Sequence, residues 1–190
     1  MALVVFFLFY NCTGNKKEEK TAAPSSEINT IPKGEYLSEC GKLYQTALFH
    51  DSIILAATEV KAEVASKAIK AFTEFAGICK NDSFAPVYLM KAGQIATVIN
   101  NLPQAKASFE KVISDFPEFK NRGAAMFLLA QLYDEPQYLN NEDKARELYD
   151  RIISLFPETE WAKNAHAARM MLGKTDEQIV QEFIKKNKGT

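Results

Sequence analysis

The stretch VYLMKAGQIATVINNLPQAKASFEKVISDFP, residues 87–117, decides the fold. Its apolar residues return every three to four positions, the period of a helix with one buried face. Pro103 falls at the start of a second helix, at the first helical position, where its missing N–H would be unpaired in any case. Pro117 follows the end of that helix, because a proline cannot continue the ladder. Inside the second helix Ala105 is followed by Phe109, an Ala-x3-aromatic signature, and the stop comes eight residues after the ring. The signature recurs at Ala68, Phe72 and Lys80 and again at Ala145, Tyr149 and Pro157. Equivalent alanines are 37 and 40 residues apart, so the chain should be a stack of helical hairpins.

Working outward, the three-to-four spacing starts at Tyr36, and no sustained period-two run interrupts it, so the domain at 35–190 is expected to be all-α. The pattern predicts helices near 35–49, 59–79, 84–99, 103–116, 120–135, 142–156, 159–172 and 176–187. Pro157 and Gly173 close two of them. Thr175-Asp-Glu-Gln178 is a capping-box start for the last, which should bury Ile179, Val180, Phe183 and Ile184 and cap the open end of the stack.

These positions resemble the tetratricopeptide repeat, which places a small residue in the first helix, Ala-x3-aromatic in the second and then a proline. The best copy has Leu89, Gly93, Ala105, Phe109 and Pro117. The next has Met126, Ala130, Tyr133, Ala145, Tyr149 and Pro157, with 15 rather than 12 positions between the small residue and the second alanine. The resemblance implies a right-handed superhelix of antiparallel hairpins, an α-solenoid, in which Gly93, Ala105, Phe109, Ala130, Ala145 and Tyr149 carry the packing between helices. The departures are a period above the usual value of about 34, Lys80 in place of the first proline, and Ala130 in place of glycine. A non-repeat helical bundle is the competing reading. Over roughly 59–187 the longer loops are similar to repeats of bacterial envelope proteins, including the outer-membrane barrel-assembly lipoprotein, the Tol–Pal coordinator and small Bacteroidetes repeat lipoproteins.

The front of the chain differs in kind. Residues 2–10, ALVVFFLFY, are an unbroken apolar run ended by Asn11 and Cys12. A spanning helix needs roughly 20 apolar residues, so the run has instead the length of the apolar stretch of an export signal. No basic residue precedes it, which places the expected true start upstream of Met1. Residues 13–34 hold two prolines and many charged or small residues; such a segment buries too little to offset its ordering entropy and should be a flexible tether. Apolar run, cysteine and polar tether together resemble a bacterial lipoprotein signal, although Phe9, Tyr10 and Asn11 depart from the family's small residues. The resemblance implies a signal peptide at 1–11, lipid on Cys12, a tether at 12–34, and an outer-membrane anchor facing the periplasm or the cell surface. An ordinary signal peptide or a mis-assigned start with a chance cysteine is the alternative. Lys16-Lys17-Glu18-Glu19 is similar to surface-export signals of Bacteroidetes lipoproteins.

With a net charge of −1 and no long basic block, the chain has no electrostatic footprint for nucleic acid. Catalytic sets are absent from the sequence: the two histidines, His50 and His166, are far apart, no Cys pair has zinc spacing, and no phosphate loop or nucleophile elbow occurs. The expectation is therefore no enzyme, no cofactor and no metal. Cys40 and Cys79 each fall among apolar helical positions; the reading is two small buried hydrophobes, with a bridge between them the alternative.

In the family, first-helix residues face a concave surface that holds an extended segment or a helix of a partner protein. Carried over by position these are Val87, Met90, Gln94 and Thr97, then Ala124, Phe127, Gln131 and Asp134. The implied function is a membrane-anchored protein-interaction scaffold. Alternatives are a barrel-assembly or Tol–Pal-associated component and, in another class, an accessory protein binding glycan or a small molecule.

Overall fold

The computed structural model describes residues 38–187, and every described element is a helix: α1 (Glu39–Ala56), α2 (Ala62–Ile78), α3 (Ala85–Val98), α4 (Leu102–Asp115), α5 (Arg122–Asp134), α6 (Glu142–Leu155), α7 (Glu160–Met171) and α8 (Asp176–Asn187). The expectations for residues 1–37, including the signal, Cys12 and the tether, lie outside the described residues. Six of the eight predicted helices agree with the observed bounds to within two residues. The exceptions are α1, which starts at Glu39 and runs on to Ala56, and α2, which starts three residues later than predicted.

Local chemistry sets the ends. Ser38 accepts from the Gly41 N–H at 3.1 Å, Asn141 from Lys144 at 3.1 Å and Thr159 from Ala162 at 3.3 Å, each meeting a donor that the first turn leaves unpaired. Pro86 and Pro103 sit in first turns; Leu102 takes the first position of α4, so Pro103 is second rather than first. Pro117 and Pro157 follow the C-caps Phe116 and Phe156. The capping box of α8 is closed both ways: the Thr175 N–H donates to Gln178 Oε1 at 2.9 Å, and the Gln178 N–H donates to Thr175 Oγ1 at 3.3 Å.

The α3–α4 and α5–α6 turns share one device. Asn100 and Asn140 adopt left-handed backbone, φ 57° and 45°, and each is followed by an asparagine that caps the next helix. After α3 the Asn101 N–H returns to the Ala96 carbonyl at 2.8 Å and that of Asn100 to Thr97 at 3.0 Å, a Schellman closure. The longer α5–α6 turn folds back on α5 through Leu139 N–H to Leu132 O at 2.9 Å and Asn141 N–H to Tyr133 O at 2.6 Å.

From α1 to α7 each helix packs against the next, and α5 also meets α7. The repeat signature marks the seam: Ala68, Phe72, Ala105, Ala130, Ala145 and Tyr149 have no exposed surface, and Phe109 has almost none. Consecutive helical hairpins with this shared core are the architecture of a tetratricopeptide-like α-solenoid. Two expectations need correction. Cys40 and Cys79 are not separate hydrophobes but a disulfide, with Cα atoms 5.7 Å apart, tying the start of α1 to the C-cap of α2. In addition, the described apolar side chains of α8 are not fully buried: Val180 is 53% and Ile184 37% exposed, and Ile179 is half-buried. Gly173, at φ 75°, and the irregular Lys174 form the turn between α7 and α8. The expectation for Phe183 falls on a side chain outside those described.

Candidate partner-binding groove

The eight residues expected to face a partner lie on α3 and α5, the first helices of consecutive hairpins, at spacings that keep each set on one side of its helix. Their surroundings differ. Gln94 and Gln131 are exposed at equivalent positions, one per helix, while Val87, Met90 and Thr97 are half-buried. The Thr97 hydroxyl donates to the Gly93 carbonyl at 3.0 Å, so part of its polarity is already used within α3. Ala124 is 6% exposed and offers a partner almost nothing. The Phe127 ring is half-covered, 5.8 Å from Tyr149 and 5.9 Å from Trp161 of α7. Asp134 accepts the Tyr149 hydroxyl at 3.0 Å. Burial and this carboxylate push the Tyr149 phenol well above its ordinary pKa. Phe127 and Asp134 therefore join helices as well as facing outward, and the free chemistry is concentrated at Gln94 and Gln131.

Several neighbours of this surface escaped the sequence reading. Val98 is 40% exposed, four residues after Gln94, so one further helical step along the same row would have found it. On α1, Leu55 is an exposed apolar side chain beyond the predicted end of the helix, and Leu48, which the spacing puts on the apolar side with Leu43 and Tyr44, is 43% exposed. Lys91 pairs with Asp51, which is 8% exposed, and its ammonium lies 5.9 Å from the centroid of the Tyr88 ring. That pair ties α3 to α1 and occupies the half-buried Lys91 ammonium. Burial first, then the nearby Tyr44, Asp51 and Asp82, push the Tyr88 phenol up to about 12, so it stays a neutral donor. Among the described residues no three His, Cys, Asp or Glu side chains gather as a metal site needs, and no helix is long and apolar enough to cross a membrane.

Residues 124–159, from α5 through α6 to the cap of α7, match the family model described as tetratricopeptide repeat. The match and the eight described helices fit a tetratricopeptide-repeat protein. The matched tetratricopeptide unit is the copy with the longer turn; the copy at 87–117 lies outside the matched segment, although Gly93, Ala105 and Phe109 pack there as Ala130, Ala145 and Tyr149 pack in the next. No curated protein matches the chain. Tetratricopeptide repeats are a protein-interaction fold without catalytic groups of their own.

Proposed function

We propose that the chain is a protein-interaction scaffold of a bacterial cell envelope, tethered to the outer membrane by lipid on Cys12, and that it holds an extended segment or a helix of a partner along the open sides of α3 and α5. The observation that carries the groove is the exposure of Gln94 and Gln131 at the same place in consecutive hairpins. Each amide offers both a donor and an acceptor, the pair of groups that an extended peptide backbone presents. Met90 and Val87 add adaptable apolar surface beside Gln94. The anchor rests on the sequence around Cys12, where an apolar run meets a polar segment, and stable attachment would need more than one acyl chain.

Two experiments test the two halves separately. A photo-crosslinking residue placed at 94 or 131 is expected to trap a protein partner in native membranes, while the same residue at 110, exposed on α4, is not. Equal trapping from all three positions rejects the groove. For the anchor, growth with a labelled fatty acid should mark the wild-type protein and leave Cys12→Ala unlabelled; equal labelling of both removes Cys12 from the reading.

A further inference from the structure

The first helix is held to the stack with few buried side chains of its own. Along its 18 residues α1 buries only Ala47 and Asp51, whereas the 17 residues of α2 bury seven side chains. Three discrete fastenings supplement its partial packing. The Cys40–Cys79 bridge holds its first turn to the end of α2. The Tyr44 ring sits 5.8 Å from Phe75, 5.2 Å from Phe84 and 6.2 Å from Tyr88. Asp51 holds Lys91 of α3. Behind these contacts lie Phe72 and Phe75, with no exposed surface, and Tyr88, with almost none.

Cys79 is 4% exposed, so the bridge is reached from the side of the half-buried Cys40. The bridge lines an open cleft of about 550 Å³ together with Gly77, Ile78, Lys80, Asn81 and Asp82. Among the described residues, a Cβ built at Gly77 would meet no heavy atom within 4 Å, so the cleft is open there.

We infer that the Cys40–Cys79 disulfide is a redox latch on α1. A small dithiol or a dithiol protein enters the cleft, and its thiolate attacks one sulfur, giving a mixed disulfide and a free cysteine thiolate. The second thiol of the reductant then displaces the other cysteine. The Cys40–Cys79 bond takes up two electrons and two protons to give two thiols, and the reductant leaves as its own disulfide. With the closed loop of 39-residue separation opened, α1 loses the constraint that holds its first turn and detaches as a unit, while α2 to α7 keep their mutual packing. Detachment uncovers the apolar surface of Phe72, Phe75 and Tyr88. The latch thus couples the thiol state of the surroundings to the surface at the N-terminal end of the stack.

Hydrogen exchange followed by mass spectrometry on the full chain tests this, comparing the oxidised protein, the protein held in dithiothreitol, and Cys40→Ser. The expected result is amide exchange across 39–56 faster by roughly a hundredfold or more, the scale of the lost loop-closure constraint, with the protection of α4 to α6 unchanged. Unchanged protection of 39–56 in both reduced protein and variant overturns the latch. So does joint loss of protection from α1 to α7, which would make the bridge a general stabiliser. If Cys40→Ser fails to accumulate folded, the dithiothreitol arm alone decides between these outcomes.

Discussion

A methyl group added at Gly93 would stand 2.5 Å from Cε1 of Phe109, closer than real Cβ contacts come. Alanine would gain about 1 kcal/mol of helix propensity there, but overpacking a close-packed core costs about 1–3 kcal/mol. Because the ring is itself almost fully buried, the clash should win. Gly93→Ala is therefore expected to lower the urea midpoint, and an unchanged or higher midpoint would show that the ring can give way. Ala130 occupies the matching place in the next hairpin with no exposed surface, so the demand for glycine is local to the Phe109 ring. At Tyr149 the issue is a hydrogen bond rather than volume. Tyr149→Phe leaves the ring and removes the donor to Asp134, with an expected loss of about 1–2 kcal/mol in denaturant unfolding. Tyr88 gives a pH signature. Its folded pKa is raised from the ordinary phenol value near 10 to about 12, so its contribution is fully present below pH 10 and is lost as pH rises towards 12. Alkaline melts should show that decline, and Tyr88→Phe should flatten it.

At the scale of the element, the turns show what a pair of asparagines can specify. Asn100 and Asn140 take left-handed backbone that asparagine tolerates better than other side chains, and Asn101 and Asn141 start the next helix. Asn140→Gly should leave thermal stability almost unchanged, whereas Asn140→Ala should cost about 1 kcal/mol, because alanine has no local hydrogen bond to offset the strain. Equal melting temperatures for the two variants would remove backbone strain from the account. The caps and prolines were legible in the sequence because each acts within one turn of its own residue. The behaviour of α8 was not. Its capping box starts the helix as read, but whether an amphipathic face finds a partner depends on where the preceding turn sends it, and Val180 stays 53% exposed.

Across the whole molecule, each helix from α1 to α7 rests mainly on its sequence neighbours, so stability should behave as a chain of nearest-neighbour terms. Phe109 sits in the middle of that chain, and its loss to alanine should cost roughly 3–5 kcal/mol. A weakened link inside a linear stack also lets the two sides unfold apart. The urea transition of Phe109→Ala is expected to broaden as well as shift, with a smaller slope than wild type. A shifted transition of unchanged slope would instead mark the stack as one cooperative unit.

Sequence by itself determined the helices, the ends of α3 to α8, the repeat and the residues that pack its seam, because apolar period, caps and prolines are read within a few positions and the alanine–aromatic spacing repeats one packing problem. Tertiary structure alone decided the Cys40–Cys79 bridge, the Asp51–Lys91 pair and the half-covering of Phe127 by Trp161. Those contacts join residues about 34 to 40 positions apart, and whether two such side chains meet is set by how one helix crosses another, which no local pattern encodes.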